Sequence, residues 1–511
     1  MDRQQMVLFS STLEDEIPSD HPVRLMDEIL SALDWSGWES HYVLAVGQPP
    51  IHPKVMASAI LYGLSLGMRS SRQLERACGM MLDFMWLVEK RSIDHSTFCK
   101  FRTRFSRELK DLFRQVGKVA IRMEMIRLNQ VSLDGTKVAA NSSRHATATA
   151  KTLEEKLQEL DRQIEQMFQE AQAADERDKR LFAGSTPNRL PRKLADLKRR
   201  QEQLRKALAK AEAKDASRGA KAKPAAVPVA DPDSSVQANK DGGFAPNYLP
   251  TVTVDGAEGL IVDADVLPDG DETKAVLPAI ERVEENFGQR PEQLLADGAF
   301  GDGENLSGLD ERGVEAYIPL EQREDRTDNP ARRAEPSVPV AESDWEKLPV
   351  NGRTKRLSRM AFVYESGKDR YWCPLGKRLE FAGMRKQSRR DGSVTCRSYR
   401  CRECQGCPLG RRCVGEKATA RVLWRDEHEP LREAMDRRMR TPEGKTVYRR
   451  RKWMAESPLG VLKSVVGLRQ FYLRGLAKVR SEWLWACTAF NLKKMMKELA
   501  RRRNDSAALP A

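Results

Sequence analysis

Three acids in this chain have the type and setting for phosphoryl chemistry. Asp134 ends the run Val131-Ser-Leu-Asp134-Gly, and Asp297 ends Gln293-Leu-Leu-Ala-Asp297, with Gly298 behind it. A strand that gives way to a glycine turn presents its last side chain at a sheet edge, where a crevice can take a ligand. Asp-Gly at a strand end also serves as a plain turn, so the two need a third acid beside them. Glu456 lies in Tyr448-Arg-Arg-Arg451-Lys-Trp-Met-Ala-Glu456-Ser-Pro458-Leu-Gly460-Val-Leu-Lys463, one carboxylate among many bases. Surrounding cations keep such an acid ionised, and the same cations would grip a phosphodiester strand. In a purely structural reading Glu456 only balances its neighbours; Glu482 is its rival for the third position, with Glu443 behind. Converging carboxylates offer all-oxygen ligation, which favours Mg²⁺. Two such ions about 4 Å apart activate one oxygen and stabilise the other during in-line phosphoryl transfer.

The second chemical grouping is sulfur. Six of the nine cysteines (Cys373, Cys396, Cys401, Cys404, Cys407 and Cys413) fall within 41 residues. Cys404-x-x-Cys407, with Cys413 close behind and Cys373 upstream, has the make-up of a tetrahedral thiolate zinc site. Cys396 and Cys401 are spare candidates, and Cys401-x-x-Cys404 competes for the same register. Reduced, unligated thiols and a redox or cluster role are the other readings. An odd cysteine count and no apolar segment behind Met1 speak against a disulfide framework and an export signal.

The elements that must position these groups follow from periodicity. A chain of 511 residues exceeds one ordinary core, so about two to four domains are expected. Residues 1–128 read as a helical DNA-binding domain. Ser70 and Gln73 have capping-box spacing, and Asp94 reads as the N-cap of a helix with Phe98, Phe101 and Phe105 inside and Lys100, Arg104 and Arg107 outside. That pattern fits a helix-turn-helix reader as well as a small bundle with a charged exterior. From Asn129 the period turns to strands: Val131–Asp134, Tyr248–Val254, Gly259–Val266, Gln293–Asp297 and Glu315–Pro319, with helices from Glu272 and Asn305. Strands followed by alternating units imply a mixed sheet covered by helices.

Residues 150–230 interrupt this core. Leu153, Leu157, Leu160, Ile164, Met167 and Ala171 keep a heptad rhythm, a break falls at Gly184-Ser-Thr-Pro187, and Leu190, Leu194, Leu197, Leu204, Leu208 and Ala211 resume it. Two such runs make an antiparallel helical hairpin, followed by an Ala/Lys/Pro-rich linker. Residues 320–436 read as a linker and a Cys-rich insertion, and residues 437–503 as basic helices that complete the core.

Between Arg437 and Arg503 there are 19 basic and 4 acidic residues, a net +15 that exceeds the +14 of the whole chain. Concentrated base favours a polyphosphate partner, because each neutralised phosphate releases counterions; a basic surface on an enzyme of small anions is the alternative. The longest nearly uncharged apolar stretch, Val55–Met68, is 14 residues, short of the roughly 18–20 that a membrane span needs.

Taken in order, Ser132-Leu-Asp134-Gly-Thr, Ala296-Asp297-Gly-Ala-Phe, Tyr448-x-x-Arg451, Glu456-x-Pro458-x-Gly460-x-x-Lys463 and Arg474-Gly475-Leu-x-Lys478-Val-x-x-Glu482 resemble the DDE transposases of bacterial insertion sequences, in the branch with a Tyr-Arg-Glu-Lys signature. The resemblance implies an RNase H-like core within a multidomain α/β chain. It implies Asp134, Asp297 and Glu456 as a triad for Mg²⁺ or Mn²⁺, and Tyr448, Arg451 and Lys463 as positioning groups for phosphate. Four residues separate Arg451 from Glu456 where the signature has three; Lys452 satisfies that count. The implied activity is DNA cleavage at element ends and attack of the freed 3′ hydroxyl on target DNA, by a homodimer in the bacterial cytoplasm, associated with the nucleoid. Two further readings stay open: a DNA-binding regulator whose acids are structural, and a transposase-derived protein that has lost catalysis.

Overall fold

The computed structural model describes residues 12–42, 50–181, 192–218, 223–239, 242–267, 270–320, 328–389, 392–415 and 418–507. The chain divides into two units, Met1–Glu292 with Arg450–Ala511, and Gln293–Arg449. It is a mixed α/β, multidomain protein whose strands pair both antiparallel and parallel.

Helices open the first unit where apolar residues recur at helical spacing: Pro22–Ser31, Pro53–Ser65, Ser71–Met80, His95–Arg104 and Ser106–Arg122 are the longest. The Ser70/Gln73 capping box forms, and the Asp94 carboxylate accepts the Ser96 N–H at 2.7 Å. The expected single helix through Phe105 and Arg107 is split. Phe105 leaves helical geometry (φ −108°, ψ 53°), which seats its ring 5.2 Å from Trp38, and Arg107 falls on the next helix. Trp38 also stacks on Phe101 and meets Trp485 of the helix Leu476–Ala507, so the first helices close onto the last. Such aromatic pairs contribute about 0.5–1.5 kcal/mol each beyond the area they bury.

The strand Phe244–Asp255 is central to the sheet of this unit. Gln130–Gly135 and Ile261–Leu267 both pair with it antiparallel, with Val131 opposite Asp255 and Asp134 opposite Val252. The last helix covers the sheet. Its Trp483 Nε1 donates to the Thr251 carbonyl at 3.1 Å, and Asn491 accepts the Ile261 N–H and donates to the Ile261 carbonyl. Helices Ala150–Leu181 and Arg192–Ala216 pack side by side over Leu153, Leu157, Leu160, Ile164, Leu194, Leu204 and Ala211. The Gly184–Pro187 break and Leu190 lie outside the described residues, as does the side chain of Ala171. Of the stretch read as a linker, Val227–Pro228 pairs with Thr147–Ala148, because Val227 completes the hairpin's apolar core.

In the second unit Gln293–Leu295 and Glu315–Tyr317 pair in parallel, connected through helix Gly303–Glu311. A separate five-stranded antiparallel sheet follows in chain order: Val363–Glu365, Arg370–Trp372, Arg378–Arg389, Gly392–Cys401 and Val422–Arg425. Residues 321–327 lie outside the described residues. The polar, charged residues that follow, up to 345, carry a composition expected of an exposed linker, yet they pack down: Ala331 and Val340 join the core under this sheet.

Candidate nucleic-acid-processing site

Asp134 lies at the end of a strand whose Val131, Ser132 and Leu133 are fully buried. Burial on both faces up to Leu133 fixes the register and so fixes where Asp134 emerges. Its Oδ1 lies 3.2 Å from Nη2 of Arg451, with both side chains 15% exposed. Lys463 Nζ donates to the Thr136 hydroxyl, two residues beyond Asp134. The structure thus gathers Asp134, Arg451 and Lys463 at one strand end. Lys452 is exposed.

A further acid stands there that sequence reasoning missed. A Cβ on Gly135 would lie 3.4 Å from Oε1 of Glu272, which places that carboxylate beside the strand end. Its only signal in the sequence is its position at the start of a helix, where acids are common anyway.

Glu456 closes a π-helical turn, Lys452–Glu456, that leads into helix Ser457–Ser464. Pro458 has no N–H to give the preceding turn, so a regular α-helix through it would lose a bond, and the widened turn absorbs the defect. Met454 and Ala455 are buried under the turn, Arg450 Nη2 donates to the Gly256 carbonyl at 2.9 Å, and Glu456 itself is exposed.

Glu482, the rival third acid, is otherwise engaged. Its carboxylate accepts from Arg69 Nη2 at 2.7 Å and from the Tyr472 and Leu473 N–H groups at 3.1 and 3.0 Å, and it is 15% exposed. Those bonds occupy it as a loop cap. Glu443 is exposed in the first turn of helix Pro442–Arg449.

In the second unit Asp297 caps the short turn Gly298–Phe300 and accepts the Ala299 N–H at 2.8 Å. Gly298 is required there, since a Cβ would come within 2.7 Å of the Pro319 carbonyl oxygen. Gly298 and Gly301 line a cleft of about 1120 Å³ whose other walls include Arg332, Arg333, Arg359, Arg425, Arg432 and Arg437. Several of these arginines are neutralised locally; Arg432 pairs with Asp426 and Glu429, and Arg425 with Glu433. Tyr448, half-buried, belongs to the same unit.

Lys100 and Arg104 are exposed on helix His95–Arg104, and Arg107 is exposed on the next helix. Cys373, Cys404, Cys407, Cys413 and Cys401 line one small cavity, which Cys396 does not reach. Burial pushes the thiols of Cys413 and Cys401 up to about 12, and that of Cys373 upward. Among the described residues, the ligand atoms that all lie within 4.8 Å of one another belong to Glu75, Asp94 and His95, whose Nδ1 stands 3.3 Å from Glu75 and 3.2 Å from Asp94 as an ordinary ion-pair cluster.

Two family comparisons bear on this arrangement. The family described as "Transposase DDE domain" matches residues 372–496, which include Glu456 and the cysteine cavity, and the family described as "Transposase domain (DUF772)" matches residues 11–104, the helical opening. Two stretches of the chain are therefore similar to transposase domains, the later one to a DDE domain. The two matches together are consistent with an insertion-sequence DDE transposase. No curated protein matches the chain. Among solved structures, the cryo-EM structure of piggyBac transposase synaptic complex with hairpin DNA aligns over 97% of this chain and 81% of that one, at 11% identity. Its TM-score of 0.29 is too low to carry any argument about this fold. Among the described residues, no helix is long and apolar enough to cross a membrane.

Proposed function

We propose that this protein binds the ends of an insertion sequence, cleaves DNA phosphodiesters there and joins the freed 3′ hydroxyl to target DNA, using Asp134, Asp297 and Glu456 on an RNase H-like core. The observation that carries the reading is the end of strand Gln130–Gly135. A register-locked Asp134 stands there with an acid beside it, Glu272, and two cations in reach, Arg451 and Lys463. Carboxylates suit Mg²⁺ or Mn²⁺ and the donor set is all oxygen, so the residues fit a divalent ion. When bound, such ions activate the attacking oxygen and stabilise the leaving one. The chain's own groups do the rest. Arg451 pairs with Asp134 and orients it, Lys463 and Tyr448 take phosphate oxygens, and Glu456 faces solvent, where a DNA strand has access to it.

DNA contact has two supports besides the basic C-terminal segment. Lys100, Arg104 and Arg107 form an exposed basic edge on the early helices. In the second unit, strands Arg378–Arg389 and Gly392–Cys401 form a two-stranded ribbon. Arg378, Arg385, Lys386, Arg397 and Arg400 are exposed on it beside Phe381 and Met384, and Glu380 is the one acid among its described side chains. A ribbon of this width fits the major groove. Pairing of two element ends implies a homodimer, acting on the bacterial nucleoid in the cytoplasm.

The test is nicking of DNA that bears the element ends. Activity should require Mg²⁺ or Mn²⁺ and be lost in Asp297→Asn with DNA affinity retained. Unchanged nicking in that variant overturns the triad. DNA binding without nicking in the wild-type chain at any divalent concentration favours the regulator reading.

A further inference from the structure

The cysteine cavity of the second unit is built like a metal clasp, and the transposase reading makes no use of it. Two short segments repeat the same four residues, Cys373-Pro374-Leu375-Gly376 and Cys407-Pro408-Leu409-Gly410. They also repeat the same turn. In each, the glycine N–H donates to the carbonyl of its own cysteine, at 2.9 Å from Gly376 and 2.8 Å from Gly410. Each turn sets a thiol into a single cavity of about 20 Å³, with Leu375 and Leu409 in its wall. Cys404 enters by a second tight turn. Gly406 adopts φ +68°, and the Cys407 N–H donates to the Cys404 carbonyl at 3.3 Å. Cys413 lines the same cavity as Cys404, Cys373 and Cys407. Two backbone N–H groups already point at sulfur, Lys377 to Cys373 and Arg421 to Cys404, each at 3.4 Å. Amides aimed at sulfur stabilise thiolate, the form in which cysteine ligates metal.

We propose that Cys373, Cys404, Cys407 and Cys413 bind one Zn²⁺ ion that clasps the base of the basic ribbon. Four sulfurs in tetrahedral array select zinc over harder cations. At a Zn–S distance of about 2.3 Å the sulfurs stand about 3.8 Å apart, so they turn inward from the looser arrangement around the cavity. Cys401 also lines the cavity but is the last residue of its strand. It is held in register with Leu379, and its N–H is bonded to the Arg421 carbonyl at 3.1 Å, so it stays a neighbouring thiol. Cys396 lies opposite Arg385, farther along the ribbon and outside the cavity. The clasp joins the segment before strand Arg378–Arg389 to the loop after strand Gly392–Cys401, so it ties together the two feet of the hairpin.

Metal content of the full chain tests this independently of any activity on DNA. Elemental analysis of protein purified without added metal should find about one zinc per chain. Replacement by Co²⁺ should give the thiolate-to-cobalt and d–d bands of a tetrahedral all-sulfur centre. Cys407→Ser should lose the ion, whereas Cys401→Ser and Cys396→Ser should keep it at wild-type stoichiometry. If Cys407→Ser does not fold, the wild-type stoichiometry and the cobalt spectrum still decide the matter. Metal-free wild-type protein that takes up no zinc overturns the site. An iron chromophore, or equal loss in Cys401→Ser, overturns the ion or the ligand set.

Discussion

The sharpest test of the acid assignment is at Glu482, because structure and sequence pattern give it different jobs. In the structure it is half of a buried clasp. Arg69 spends its guanidinium on the Gly467 and Gln470 carbonyls, each at 2.6 Å, and on Glu482 at 2.7 Å, while stacked 4.0 Å from the Tyr472 ring. The side chains are 7% and 15% exposed. Removing one partner of a buried ion pair costs about 3–5 kcal/mol, since the other charge is left without compensation. Glu482→Ala should cost that much, because it also strips the Tyr472 and Leu473 N–H groups of their acceptor. Glu482→Gln keeps the size and one acceptor oxygen but loses the charge, so about 1.5–3 kcal/mol is expected, the worth of a charged hydrogen bond. Urea unfolding followed by tryptophan fluorescence reads this directly, with Trp483 next in the chain. Folded Glu482→Gln protein should still nick DNA. A variant that unfolds at the wild-type midpoint yet cannot nick would make Glu482 the third acid, and the structural argument would be refuted.

Three further outcomes follow from the same geometry. Glu272→Gln should slow cleavage roughly 10–100-fold, the usual effect of losing a group that supports a metal ligand, with DNA affinity unchanged in a filter-binding assay; wild-type rates would show that the carboxylate beside Gly135 plays no part. Joint replacement of Arg385 and Lys386 by alanine should lower the slope of log affinity against log salt by about 2, one unit for each phosphate no longer neutralised. An unchanged slope would take the ribbon off the DNA. Glu365, bonded by Arg370 Nε at 2.7 Å and Trp372 Nε1 at 2.8 Å, has its carboxyl lowered to about 2 by these donors. The fold therefore favours its ionised form and the unfolded chain takes up the proton more readily. Stability present above the ordinary pKa of about 4.5 is lost as pH falls toward 2. The gap in melting temperature between wild type and Glu365→Gln should close on acidification, and a gap that widens would contradict the pairing.

What the sequence alone made legible is what local patterning controls. The strand carrying Asp134 and the one that stops at Leu295, two residues short of Asp297, follow from apolar runs stopped by glycine, the caps at Ser70 and Asp94 from side chains that bond within a turn, and the helical hairpin from its heptads. The split at Phe105 was not legible, because Trp38, nearly 70 residues earlier, draws the ring out of the helix. Nor was the packing of the polar 328–345 stretch, where Ala331 and Val340 are buried against a sheet formed later in the chain. The Glu482–Arg69 clasp joins residues 413 apart in the chain. Pairings at that distance leave no periodic trace, and composition marks both residues only as charged.

The spacing between Arg451 and Glu456 has a physical account that sequence counting could not supply. A signature with three intervening residues presumes an α-helix, in which residues four apart share a face. Counted that way, Lys452 is the partner of Glu456. The chain, however, runs through a π-helical turn at Lys452–Glu456, where bonds run from residue i to i+5 and one extra residue is taken up per turn. Residues five apart then come into register, and the partner of Glu456 becomes Arg451. The geometry agrees with this shift: Arg451 is 15% exposed and reaches Asp134 at 3.2 Å, whereas Lys452 is exposed. The inserted residue and the widened turn therefore compensate each other around Pro458. Deleting one residue between Arg451 and Glu456 while replacing Pro458 by alanine should restore a regular helix and keep more activity than the deletion alone. If both variants are equally inactive, the π turn does more than correct the register.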